Sequence, residues 1–323
     1  MAFNREHVVP ESFGGFRNAL VLHSLVCSSC NSHLGKTLDA ALARDSVEGL
    51  ERYRAGVKRP RDIANFRATS ITLRAHDAGE FTGAEIRLAP DESDTELRAD
   101  ILPSAAIHAA DRDQYVPFSQ TAILDGSWRS ESVDWRKGLK LFGPDEATAR
   151  MRRALEDQGV TFASWRPLGP PDAERGVPEV LEEYTVPPVV RRAVSKIAFN
   201  YLAFRLGREL VLMPAFDPIR EFIRNGTDPS VPPVHVSHQL PFRTDRPPEE
   251  RPQVHFVAID GHGSHRNLLG VVTLFGYHGY TLVLAENFKG PWPDLPLAHL
   301  YNLKTLSVSE MEPQGPRWRH PDA

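Results

Sequence analysis

Cysteine is scarce in this chain: Cys27 and Cys30 are the only two in 323 residues. Two thiols make no disulfide framework, so a small cross-linked secreted scaffold is excluded. The N-terminus, MAFNREHVV, has no apolar core behind a basic start, and no signal peptide is expected there. One apolar, uncharged stretch, 267–285, is long enough to span a bilayer as a helix. It reads NLLGVVTLFGYHGYTLVLA, and Gly276-Tyr277-His278-Gly279 interrupts it. Its Val, Thr, Phe and Tyr content predicts two strands around a turn instead. A cytoplasmic protein without a membrane partner is the expectation. An excess of positive charge is also lacking: 38 Lys and Arg stand against 42 Asp and Glu, for a net charge of -4. Contact with a polyanion must then come from a local patch.

What is present is globular in composition, with 41% hydrophobic and 25% charged residues and no fixed-period repeat. The length suits about two domains, and the composition divides it into three stretches. Residues 1–60 read as strand, turn, strand, cysteine knuckle and helix, with a helical stop at Gly56. Residues 61–165 read as β-rich. SITLRAH and AEIRLAP alternate, further strands are expected at 99–103 and 120–124, and a helix is expected over 144–158. Residues 166–323 begin with a Pro-rich connector to 189. A long helix follows over 189–211, with Val190, Ala193, Val194, Ile197, Ala198, Tyr201 and Leu202 on one apolar face. Arg191, Arg192 and Lys196 are expected off that face. A short helix near 217–225 and a second Pro-rich stretch, 226–252, precede strands in VHFVAI, LLGVVTLFG and YTLVLAE. The tail from Glu312 is expected to fray. His262 and His265 are read as part of a turn. The fold class is α+β: a small N-terminal module, then a larger mixed region with antiparallel strands.

The chemistry-bearing residues cluster early. Glu6-His7 is followed by Pro10, Gly14-Gly15, Cys27-x-x-Cys30-Asn31, Gly35-Lys36 and Asp39. REHVVPESFGG at 5–15 and VCSSCNSHLGKTLD at 26–39 together resemble the HNH endonucleases, the ββα-metal nucleases. The resemblance implies a metal-dependent hydrolase of DNA phosphodiester bonds. It makes His7 the general base, which suits an imidazole that is largely neutral at pH 7. It makes Glu6 and Asn31 the ligands of a hard cation, Mg²⁺ or Mn²⁺. A strand sends adjacent side chains to opposite sides, so Glu6 and His7 serve one site only if the strand ends or bulges there. Asn18 and His33 are further candidates. The bland alternatives are an Asn31 that caps a helix and a His33 that faces solvent.

Many relatives hold a structural Zn²⁺ with two CxxC pairs, the earlier one preceding the Glu-His motif. Here Cys27 and Cys30 are half of such a site, and zinc takes four ligands. The expected explanation is an N-terminus lying upstream of Met1. Packing alone, or substitution by His23 and His33, are the alternatives. A redox role for CSSC would want a βαβ setting. Arg52, Arg54, Lys58, Arg59 and Arg61 follow the module and are candidates for the nucleic-acid backbone, against the reading of a solvated connector. RRAVSKIAFNYLAF with AFDPIREFIRNGT is similar to a downstream region of longer bacterial HNH proteins. It suggests a basic face of Arg191, Arg192, Lys196, Arg220 and Arg224. The second functional reading is an inactive HNH-derived module that only binds nucleic acid or protein. Oligomeric state is not legible.

Overall fold

The computed structural model describes residues 2–67, 69–76, 78–162, 164, 179–226, 234–241, 253–262, 266–292 and 294–311. The chain begins with β1 (Phe3–His7), β2 (Val21–Cys27), α1 (Ser28–Leu34), a π-helical turn (Gly35–Asp39), α2 (Ala40–Arg44) and α3 (Val47–Arg54). Next come β3 (Ile71–His76), β4 (Glu85–Pro90), β5 (Leu97–Ile101), β6 (Ser104–His108), β7 (Tyr115–Ser119), α4 (Gln120–Asp125), β8 (Leu139–Phe142), α5 (Asp145–Asp157) and β9 (Glu179–Tyr184). The last part holds α6 (Pro188–Val211), α7 (Asp217–Asn225), β10 (His235–Ser237), β11 (Val254–His262), β12 (Asn267–Leu274), β13 (His278–Ala285), β14 (Leu297–Asn302) and β15 (Ser307–Met311). Strand pairs among the described residues are all antiparallel, so the class is α+β.

Where the sequence divides into three stretches, the contacts cluster into two units. The first comprises 1–59, 65–70 and 186–323, and the second 60–64 and 71–185. The N-terminal hairpin and helices share one core with the C-terminal part. In the first unit a six-stranded sheet runs β10-β13-β12-β11-β14-β15, beside the two-stranded β1-β2. Helix α6 lies against β11, β12 and β13, and also against β2 and α2. Its expected apolar face is the buried one: Val190, Ala193, Val194, Ile197, Ala198, Tyr201 and Leu202 are all inaccessible or nearly so. Approach is close enough that a Cβ on Gly270 of β12 would lie 2.7 Å from the Cβ of Ala198. The stretch 267–285 is β12, a turn with left-handed Phe275 and Gly276, and β13. No helix among the described residues is long and apolar enough to cross a membrane.

The second unit has sheets ordered β5-β4-β3-β9 and β7-β6-β8. Its core includes Ile107, Phe118, Ile123, Trp128, Leu141, Met151 and Leu155. Residues 120–124, expected as a strand, form α4. The hydroxyl of Ser119 accepts from the Ala122 N–H and caps the helix, which outweighs the short apolar run that reads equally as a strand. Residues 179–184, expected within a connector, pair with β3 as β9. The continuous helix expected up to Gly56 breaks at Asp45-Ser46, because the Ser46 hydroxyl starts α3 by accepting from the Gly49 N–H. Most of both Pro-rich stretches, His265 and the tail from Glu312 lie outside the described residues.

Candidate active site in the N-terminal segment

Strand β1 carries the Glu-His pair to its last two positions, and its pairing with β2 slips between Asn4 and Glu6. Asn4 faces Val26, whereas Glu6 faces Leu22; Ser24 opposite takes a left-handed conformation (φ 59°). The bulge and the strand end required for Glu6 and His7 to leave simple alternation are both there. The backbone on either side of Glu6 is then fastened. Asn31, in the first turn of α1, donates from Nδ2 to the Arg5 carbonyl at 2.9 Å. Asn200, on α6, donates to Glu6 Oε1 at 3.1 Å and lies 3.4 Å from the His7 carbonyl oxygen. The backbone around the pair is therefore clamped by two side-chain amides from different helices.

Glu6 is buried, with 5% of its surface exposed. Its Oε1 lies 2.5 Å from Lys196 Nζ, which also donates to Asp39 Oδ1 at 2.9 Å and Oδ2 at 2.7 Å. Burial alone would pull the Lys196 ammonium down. The Asp39 and Glu6 carboxylates more than reverse this and hold it above the usual lysine value. Lys196 is thus neither off the apolar face of α6 nor on a surface facing DNA. It is 3% exposed within the core. Asp39 reaches it from the end of the π-helical turn, where Leu38 is fully buried.

These contacts bear on the cation that the resemblance implies. A hard-metal site needs oxygens free to coordinate. Glu6 offers an oxygen already engaged by an ammonium and an amide, in a place closed to solvent. With Oε1 taken by Lys196 and Asn200, Glu6 Oε1 and Asn31 do not fit as a resident metal site in this arrangement. No group of three or more His, Cys, Asp or Glu among the described residues is arranged to hold a metal. His7 is half-buried, and its imidazole makes no hydrogen bond among the described residues.

The cysteine knuckle is local structure. Cys27 ends β2 and caps α1, its Sγ accepting from the Cys30 N–H at 3.3 Å, with Ser29 Oγ also at 3.3 Å. Hydrogen bonds from the Cys30 thiol and from Ser29 lower the Cys27 thiol to about 7, and sharing that bond raises Cys30. The knuckle joins an antiparallel hairpin to a helix, not a βαβ unit. His23 and His33 are exposed.

Several other candidates have structural duties. Asn18 donates Nδ2 to the Val308 carbonyl at 2.6 Å and accepts from the Val308 N–H at 2.8 Å, so both amide atoms are spent fastening β15. Arg52 is 4% exposed. It bonds the Ser12 and Ala43 carbonyls at 2.8 and 2.7 Å and lies over the Phe13 ring, so it holds the module from inside. Arg54 pairs with Glu51 at 2.7 Å. Arg61 belongs to the second unit, where it pairs with Asp94. Lys58 and Arg59 are exposed. On the suggested basic face, Arg191 bonds the Val186 and Val234 carbonyls and Arg192 those of Ile223 and Arg224. Arg220 bonds the Val211 carbonyl and Asp217. Only Arg224 of the five is exposed.

Asn200 is the site residue that the sequence reading missed; Asp39 stands in the early motif but carries no role there. The signal was there for Asn200: Lys196 and Asn200 stand at i and i+4 within the apolar stripe of α6, where a polar pair demands buried partners.

The HNH endonuclease family model matches residues 1–46, from β1 to the end of α2. No curated protein and no solved structure matches the chain. The N-terminal segment is thus similar to HNH endonucleases, a nuclease-type family whose members generally act on nucleic acid with divalent metal ions.

Proposed function

We propose that residues 1–46 form the nuclease element of this chain and hydrolyse phosphodiester bonds in DNA, with His7 as general base. The observation that carries the reading is the Glu6-His7 pair at the bulged end of β1, clamped by Asn31 and Asn200, inside the segment that the family model matches. In the reaction a water oxygen attacks phosphorus, its proton passes to the free imidazole nitrogen of His7, and the phosphorus–oxygen bond breaks to release an alkoxide that takes a proton from solvent. The clamp on the His7 carbonyl fixes the ring's origin, which is the positional control that such a step needs. Lys58 and Arg59, two of the exposed members of the basic stretch, are the proposed backbone contacts.

Plasmid nicking, with Mg²⁺ or Mn²⁺ supplied and then chelated, tests this. His7→Ala should lower the rate by about 10²–10⁴ while DNA affinity stays within a few-fold. Equal cleavage by a folded His7→Ala protein removes His7 from the mechanism. The second reading, an inactive binding module, is favoured by one observation: the carboxylate expected to take a metal holds Lys196 instead. DNA binding by the wild type with no nicking under either metal would support it.

A further inference from the structure

We propose that Lys196 is the resident cation of the Glu6-His7 site: its ammonium fills the position at Glu6 that the resemblance gives to a metal ion, and Glu6 positions His7 instead of coordinating a metal. This rests on the functional reading only for the identity of the expected metal carboxylate.

The stoichiometry of hydrogen bonds is complete. An ammonium has three donors, and Lys196 Nζ has three close acceptors, Glu6 Oε1 at 2.5 Å and Asp39 Oδ1 and Oδ2 at 2.9 and 2.7 Å. It is a built site: the Lys196 side chain is 3% exposed, that of Glu6 6% and that of Asp39 19%. A divalent ion at Glu6 would share a buried carboxylate with an ammonium already 2.5 Å away, so two cations would repel across a poorly screened gap. The geometry also gives Glu6 another task. Asn200 bonds both Glu6 Oε1 and the His7 carbonyl, so Lys196 and Asn200, one helical turn apart on α6, hold the side chain of one residue and the backbone of the next. Lys196 is a positioning residue that acts through Glu6.

Mn²⁺ binding to the full chain, read by electron paramagnetic resonance of the free ion, tests this without any need for activity. In the wild-type background, Glu6→Gln should leave Mn²⁺ affinity within twofold. Lys196→Met strips buried Glu6 and half-buried Asp39 of their counter-ion and should gain Mn²⁺ affinity of tenfold or more. Lys196→Arg, which keeps the charge, should not. A tenfold or greater loss of Mn²⁺ affinity in folded Glu6→Gln overturns the proposal, as does a folded Lys196→Met with no gain. If Lys196→Met does not fold, the Glu6→Gln comparison decides alone. Failure of plasmid nicking would leave all these outcomes intact, so the two readings fail separately.

Discussion

His255 on β11 gives a pH prediction whose sign and size follow from its surroundings. The ring is fully buried. Nε2 lies 2.8 Å from the Phe13 carbonyl, and Nδ1 accepts from the Phe275 N–H at 3.0 Å. That pairing admits only the neutral ring, protonated at Nε2, because a proton on Nδ1 would point at another N–H. Burial pushes the imidazole down to about 4, against a smaller upward pull from the Phe13 carbonyl. A histidine whose folded value is depressed adds stability above its unfolded value of about 6.5, and this is lost as pH falls through the folded value. The full gap is worth roughly 3 kcal/mol at neutral pH, and about 2 kcal/mol of it should be gone by pH 4.5. His255→Asn keeps an acceptor for the Phe275 N–H, loses the Phe13 bond at about 1–2 kcal/mol, and does not titrate. Because the chain holds two compact units, the assay should be local: hydrogen-exchange protection of peptides from 254–274 between pH 7 and 4.5. Wild type should lose about 2 kcal/mol more than the variant over that range. Parallel losses in the two proteins would refute the reasoning.

Two further outcomes are expected. Gly270→Ala should destabilise the first unit by about 1–3 kcal/mol through overpacking on Ala198, with partial recovery in Gly270→Ala/Ala198→Gly, as read by urea unfolding. Arg52→Met should cost about 2 kcal/mol or more in stability, because two buried carbonyls lose a charged donor, yet leave the salt dependence of DNA binding unchanged. Lys58→Ala/Arg59→Ala should do the reverse, lowering the log–log salt slope by about 2 with little effect on unfolding.

The parts of the fold legible in advance were those set by local pattern. The β1-β2-α1 order, the buried stripe of α6, and the hairpin in place of a membrane span each follow from periodicity and turn residues within some twenty positions. Residues 120–124 went astray because five residues of mixed character do not separate strand from helix, and one serine hydroxyl decided it. The site was half legible. Glu6, His7 and Asn31 stand in the motif, but their neighbours are set by contacts across the chain. Lys196 sits 157 positions from Asp39, and Asn18 sits 290 from Val308. A charge within an apolar stripe announces that a partner exists; it does not say which carboxylate, or that two will share it.

The clamp on Glu6 also sets a clock on biogenesis. Its amide arm, Asn200, lies 194 positions downstream, with the whole second unit threaded between. At elongation rates of about 5–20 residues per second, the first turn of the clamp reaches the growing chain roughly 10–40 s after Glu6. During that interval the motif exists as a hairpin and short helices whose Glu6 and Asp39 lack Lys196 and whose Phe13 lacks His255 and Phe275. Closure of the site therefore awaits translation of α6, and a ribosome that stalls before it leaves a nascent chain bearing the motif without the residues that hold it in place.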